Sequence, residues 1–164
     1  MATKQKSGCL AALFGIFGGN SNSESSTSSE YPYRVRDAFL SPAERSFYGV
    51  LCQVVSDRAV ILCKVGLWDI FYVARPNEHR GAKSHIDRKH VDFLLCDTES
   101  MQPIVGIELN DASHQRADRQ ARDAEVKAIF DTAKLPLVFV QARRAYQTNE
   151  IAGLLAPHLN DAQR

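Results

Sequence analysis

Residues 90–114 constrain this chain more than any other stretch, because they contain two apolar segments that each carry one acidic residue. Residues 90–96 and 104–109 are apolar at nearly every position, which is typical of strands buried on both faces of a sheet. Asp92 lies in the first segment and Glu108 in the second. An ionised carboxylate in such a strand is costly unless it is paired or binds a metal, so both acids are candidates for a function.

The spacing of the two acids around a polar turn predicts that they meet. Residues 97–103 form this turn, with Ser100 at its centre. In an antiparallel hairpin folded about Ser100, Asp92 lies opposite Glu108, with Cβ atoms about 4.5–5.5 Å apart. Carboxylates that close need a shared proton or a cation, and Mg²⁺ or Mn²⁺ suits oxygen ligands. A register slip of one residue would instead leave two separate acids, each solvated or salt-bridged.

The chain is predicted to form one domain, residues 31–164, after a disordered tail, residues 1–30. The apolar run at residues 9–17 is shorter than the roughly 20 residues that span a bilayer. It is a candidate for weak, peripheral membrane association; the alternatives are the apolar part of a signal peptide or a loosely ordered tail. Residues 18–30 are a Ser-rich linker. The four cysteines form no CxxC pair, which favours a reducing, cytoplasmic location.

Signals for helices and strands alternate along the domain. Ser41-Pro42-Ala43-Glu44 predicts a helix start, in which Glu44 either caps Ser41 or points at the metal site. The pattern predicts, in order, a helix at 42–56, a strand at 58–65, an ambiguous segment at 66–73, a polar loop at 75–89, the hairpin, a helix at 115–134 with alanines on its apolar side, a strand at 135–141 and a helix at 148–159. This order predicts a mixed α/β sheet with helices packed on it.

An aspartate and a glutamate on neighbouring strands suit metal-assisted displacement at phosphorus. Asp92 and Glu108 would hold the metal, and the backbone carbonyl of Leu109 would add a ligand. Asn110 shares the face of Glu108, where it would orient water or phosphate. His114 would act as general base or acid, because the ordinary pKa of histidine lies near neutrality. The alternative for His114 is a turn residue with a local hydrogen bond.

Two basic segments flank the acidic pair. Arg88 and Lys89 end the polar loop, and Arg116, Arg119 and Arg122 recur every three residues in the following helix. Since the net charge is only +1, an anionic partner must be met by a local patch. We interpret these residues as contacts for a nucleic-acid backbone; the alternative is a solvated loop and a solvated helix face.

The same residues resemble a known nuclease motif. Asp92 followed by Glu108-Leu109-Asn110 resembles the PD-(D/E)xK motif of the restriction-endonuclease-like superfamily. The string IELNDASHQRADRQARD at 107–123 resembles the very-short-patch-repair-like branch of that superfamily. Together with LSPAE at 40–44 and RKHVDFLLCD at 88–97, it resembles the domain-of-unknown-function 2726 family over residues 31–155 or so.

This resemblance implies a restriction-endonuclease-like αβββαβ core, a mixed sheet flanked by helices, a divalent metal (Mg²⁺ or Mn²⁺) and endonuclease cleavage of DNA. It implies that Asp92 and Glu108 are metal ligands, that Glu44 is the acid of the first helix, and that His114 is the accessory histidine. A homodimer is a further expectation, because many enzymes that cut both strands pair two active sites.

The chain departs from the motif at Asn110, where the superfamily usually has lysine and this branch often has aspartate. Asparagine cannot protonate a leaving group. Lys89 lies three residues from Asp92 and on an ideal strand points to the opposite face, whereas His90 shares the face of Asp92 and is the better substitute. Three hypotheses follow: a metal-dependent endonuclease, a catalytically inactive module of the same fold that binds nucleic acid or a protein, and a membrane-tethered domain with another partner.

Overall fold

The computed structural model describes residues 31–110 and 117–161, with the side chains of 31–110 and 120–159. The predictions for residues 1–30, for His114 and Arg116, and for the side chain of Arg119 lie outside the described residues. The chain divides into a first unit that ends at Arg36 and a second unit, residues 37–164. In the first unit the rings of Tyr31 and Tyr33 stack, with centroids 5.9 Å apart.

The helices and strands described lie in the second unit. Their order is α1 (Pro42–Val55), β1 (Val60–Gly66), α2 (Leu67–Ile70), α3 (Ala82–Ile86), β2 (His90–Cys96), β3 (Pro103–Asn110), α4 (Ala117–Ala133), β4 (Leu137–Gln141) and α5 (Thr148–Asp161). The sheet has the strand order β1-β2-β3-β4; the first two pairs are antiparallel, and β3 and β4 are parallel. The prediction of a mixed α/β sheet flanked by helices is confirmed.

Helix α1 begins where its local sequence predicts. The Ser41 Oγ accepts a hydrogen bond from the Glu44 N–H at 3.3 Å, and Glu44 Oε2 accepts one from the Ser41 N–H at 2.8 Å. This capping box satisfies two donors that the first helical turn leaves unpaired. It therefore fixes the position of Glu44 as well as the helix start.

The central hairpin has the predicted register. Asp97 Oδ1 accepts hydrogen bonds from the N–H groups of Glu99 and Ser100, which closes the turn. Phe93 pairs with Ile107, and Leu95 pairs with Val105, as folding about Ser100 requires. The register shifts only beyond Leu95, close to the turn. Asp92 and Glu108 are the next residues along the two strands after Phe93 and Ile107, in the direction away from the turn.

A hydrophobic core lies on each face of the sheet. On one face, α1 and α5 pack against Phe93 and Ile107. On the other, Val126 and Phe130 of α4 pack with Leu94. The backbone of β3 approaches α4 closely, since a Cβ atom at Gly106 would lie 2.6 Å from Phe130 Cε1.

Two segments differ from the sequence prediction, and the structure resolves a third that was ambiguous. The prediction of an alanine-lined apolar side for α4 is wrong, because Ala121, Ala124 and Ala128 are exposed while Val126 and Phe130 are buried. Larger side chains are needed to fill the space over the sheet. The ambiguous segment at 66–73 contains the short helix α2, and the polar loop contains α3. In the described part of the chain, no helix has the length and apolar character needed to cross a membrane.

Candidate active site

A cavity of about 280 Å³ lies where the first turn of α1, the open end of the hairpin and α4 meet. The ionisable side chains among the described residues that line it are Glu44, His90, Asp92, Glu108, Arg122 and Asp123. Glu108 faces α4, because it lies two residues from Gly106, which packs under Phe130. The cavity therefore collects acids from α1, from both strands of the hairpin and from α4.

Asp92 and Glu108 form a close pair in the wall of this cavity. Asp92 Oδ2 accepts a hydrogen bond from the Leu109 N–H at 2.9 Å, which holds the aspartate beside the end of β3. Burial raises the pKa of Glu108 to about 8, and the negative charge of Asp92 adds to this rise, while the positive charge of Arg122 opposes it. Glu108 therefore keeps a proton at neutral pH unless a cation takes its place.

Glu44 both caps α1 and lines the cavity, so the structure combines the two roles that its sequence position allows. Its second oxygen, Oε1, accepts a hydrogen bond from Lys64 Nζ at 2.8 Å. Burial acts to raise the pKa of Glu44, but the hydrogen bonds from Lys64 and Ser41 outweigh it and lower that pKa. Glu44 is therefore an ionised acid at the edge of the pair.

Lys64 was not anticipated from the sequence. It lies in β1 between Cys63, which pairs with Phe93, and Val65, which pairs with Val91, so it stands across from Asp92. Its φ of 53° is uncommon for a residue with a side chain. Alignment of the first strand with the second would have been the signal that places this lysine level with Asp92 in the sheet.

Asp123 is the second residue that the sequence reasoning missed. It lines the cavity from α4, and its negative charge contributes to the raised pKa of Glu108. Its position in the Ile107–Asp123 string was a signal, but only the packing of α4 brings it to the cavity.

The other predicted site residues fall into two groups. His90, Leu109 and Arg122 line the cavity together with the acidic pair. Asn110 ends β3 and is not among the described residues that line the cavity; its carbonyl accepts a hydrogen bond from the Ala142 N–H at 2.7 Å. The chemical roles of these residues stay predictions.

Arg88 and Lys89 lie outside the cavity. The ammonium of Lys89 binds Glu125 of α4 at 3.0 Å and the carbonyl of His85 at 2.7 Å. Arg88 is exposed and lies 3.6 Å from Asp87. Lys89 therefore holds α4 against the segment before β2, whereas Arg88 is accessible to a partner.

The oxygen atoms of the cavity fit a hard divalent cation. Two carboxylates and the main chain of Leu109 meet there, and such cations take oxygen ligands and keep several waters. Within the described ranges, no group of three or more His, Cys, Asp or Glu side chains is arranged to hold a metal ion. This donor set suits Mg²⁺ or Mn²⁺ better than Zn²⁺, which usually takes three or four protein ligands.

A larger cleft, of about 960 Å³, lies between α3, α4 and the segment after α2. Its walls are mainly apolar, and its only carboxylate among the described residues, Glu125, is paired with His85 and Lys89. Close acidic pairs with a raised pKa are typical of active sites, so the smaller cavity is the better candidate despite its size.

A family model described as a protein of unknown function (DUF2726) matches residues 36–157. The matched region contains α1, the hairpin and α4, and hence all the ionisable residues of the cavity. No curated protein and no solved structure matches the chain.

Proposed function

Since the chain belongs to the DUF2726 family, whose description assigns no activity, we propose from the cavity that it is a divalent-metal-dependent endonuclease acting on DNA. The observation that carries the proposal is the meeting of Asp92 and Glu108 on adjacent strands, with the pKa of Glu108 raised to about 8. The order of the longer elements, α1-β1-β2-β3-α4-β4, supports a restriction-endonuclease-like αβββαβ core.

Asp92, Glu108 and the carbonyl of Leu109 would hold Mg²⁺ or Mn²⁺. The chemistry that such a cation would supply is polarisation of the phosphoryl oxygen and a lowered pKa for water at the site. Glu108 would hold the metal as an ionised carboxylate, because a carboxyl group binds metal only without its proton. The backbone N–H of Leu109 keeps Asp92 oriented toward the same point.

Further residues act on the substrate or on protons. Arg122, exposed on α4 at the cavity wall, neutralises a phosphate next to the scissile bond. His90 lies in the same cavity and can transfer a proton to the leaving oxygen, the role that Asn110 cannot fill. The accessory role of His114 and the phosphate contacts of Arg88, Arg116 and Arg119 are parts of the same proposal.

A catalytically inactive module of the same fold is the second candidate. The specific observation in its favour is Asn110, which takes the position of the usual lysine and is not among the described residues lining the cavity. Among the described residues, Lys64 contacts an acid that lines the cavity, and this acid is Glu44. Such a module would bind nucleic acid or a protein without cleaving a phosphodiester bond.

Metal titration and a cleavage assay separate the two candidates. The full chain is titrated calorimetrically with Mg²⁺ and Mn²⁺, and is then incubated with supercoiled, linear and single-stranded DNA. We expect metal binding and cleavage by the natural protein, and neither by Glu108→Ala. The matched control is Glu78→Ala, an exposed glutamate outside the cavity, which should retain both.

Unchanged cleavage by Glu108→Ala would remove this cavity from the reaction. Metal or DNA binding without any cleavage would favour the inactive module. Cleavage that needs no divalent metal would contradict the proposed chemistry. In that case the activity of Glu108→Ala would still show whether the reaction takes place in this cavity.

A further inference from the structure

An exposed aromatic ring lies just after β1, the strand that pairs with β2 of the carboxylate cavity. Trp68 is 53% exposed, although tryptophan is a large apolar residue that the core could bury. Its neighbour Leu67 is fully buried and anchors α2 to the α4 side of the sheet. Trp68 is therefore presented to solvent from a backbone that packing holds in place.

Backbone contacts place Trp68 close to the open end of the cavity. The N–H of Leu67 donates to the carbonyl of Lys89 at 2.9 Å. Gly66 pairs with His90, and His90 lines the carboxylate cavity. Trp68 is two residues from Gly66 and thus lies at the end of the sheet where the candidate active site opens.

The surroundings of the indole are cationic. Lys83 Nζ lies 5.6 Å from the centroid of the indole ring, a cation–π contact. Residues 67–89 contain five basic residues against three acidic ones. Arg88 is paired with Asp87, but its side chain is 92% exposed, and exposed ion pairs are weak enough for a phosphate to compete. An aromatic face and exposed cations therefore occur together.

We propose that Trp68 and Lys83 form a stacking subsite for an unpaired base of single-stranded DNA, whose backbone continues into the carboxylate cavity. The inference rests on the proposed nuclease function and names its substrate. An indole face stacks on any base, and nearby cations follow the phosphates, which is how single-stranded nucleic acid is bound without sequence preference. In a duplex, neighbouring base pairs cover the base faces, so this subsite favours single strands.

Tryptophan fluorescence tests the subsite directly, because Trp68 is the single tryptophan of the chain. The full chain is titrated with a short oligothymidylate in EDTA, so that no cleavage occurs. We expect quenching of Trp68 fluorescence and weaker binding of a duplex with the same sequence. Anisotropy of labelled oligothymidylate should show about tenfold weaker binding for Trp68→Leu and near-natural binding for Trp68→Phe.

Lysine variants test the cationic part of the subsite. Lys83→Met should weaken binding and reduce its salt dependence, since one phosphate contact is lost. Lys127→Met is the matched control, because Lys127 is an exposed lysine of α4 whose ammonium pairs with Asp131 instead of an aromatic ring. An equal effect of the two substitutions would overturn the assignment of Lys83.

Failure of the subsite is distinguishable from failure of the nuclease proposal. Glu108→Gln should abolish cleavage in Mg²⁺ yet retain fluorescence quenching in EDTA. Absent quenching, or equal affinity of Trp68→Leu and the natural protein, would overturn the subsite even if the protein cuts DNA. Tighter binding of a ribo-oligonucleotide than of oligothymidylate would overturn the assignment to DNA.

Discussion

Glu108→Gln should stabilise the metal-free protein, although it removes a residue of the candidate active site. The pKa of Glu108 is about 8 in the folded chain, against an ordinary value of 4.5. At pH 7 an unfolded glutamate is ionised, whereas the folded one keeps its proton. From the ordinary pKa of 4.5 to pH 7 is an interval of about 2.5 pH units. At about 1.4 kcal/mol per pH unit, keeping Glu108 protonated in the folded state costs about 3 kcal/mol of folding free energy.

Glutamine removes that cost because it is neutral at every pH, and its amide can still donate a hydrogen bond to Asp92. A group whose pKa is raised by folding contributes stability below its unfolded pKa, and this contribution is lost as the pH rises through the folded pKa. In EDTA, the natural protein should therefore lose stability between pH 4.5 and about 8, and Glu108→Gln should not. At about pH 7, the variant should melt roughly 10 °C higher.

Urea denaturation followed by circular dichroism measures the effect in EDTA at about pH 5, 7 and 9. Glu78→Gln, at an exposed glutamate, is the matched control and should follow the natural protein. Added Mg²⁺ should stabilise the natural protein and leave Glu108→Gln unchanged, because a ligand stabilises only the state that binds it. If Glu108→Gln is less stable than the natural protein at about pH 9, Glu108 is not a buried carboxyl group whose pKa is raised by burial and by Asp92.

Four further substitutions test other parts of the structure. Lys64→Met should lower the unfolding free energy by about 1 kcal/mol at neutral pH, because it removes the partner of the capping glutamate of α1. The pKa of Glu44 is lowered from 4.5 in the folded chain, so the difference should shrink below pH 4.5 and vanish once the pH has fallen through that lowered pKa. Gly106→Ala should lower the free energy of unfolding, measured by urea denaturation, by about 1–3 kcal/mol, because its Cβ atom would collide with Phe130. Gly153→Ala, which has open space around it in α5, should raise the free energy of unfolding by about 0.5–1 kcal/mol. Equal effects of the two substitutions would contradict the close approach of β3 to α4. Asn110→Asp should leave the calorimetric affinity for Mg²⁺ unchanged, because Asn110 is not among the described residues lining the cavity, and tighter binding would place it among the ligands.

The parts of the fold that the sequence predicts are those with local causes. The start of α1 follows from Ser41 and Glu44, three residues apart, whose side chains and backbones bond each other. The hairpin register follows from the turn around Ser100 and from the alternation of side chains along each strand. Both depend on a few neighbouring residues, so the placement of Asp92 beside Glu108 could be predicted before any packing was known.

Packing over long sequence separations decided the rest. Burial of Phe130 over Gly106 sets the rotation of α4, and this rotation brings Arg122 and Asp123 to the acidic pair. The left-handed backbone of Lys64 and its contact with Glu44 join elements that no local pattern connects. The sequence alone determined that the two central carboxylates lie side by side, because a turn and the two-residue period of a strand place them. The tertiary structure decided which charges surround them. Those charges come from elements that meet only when the cores on both faces of the sheet are filled.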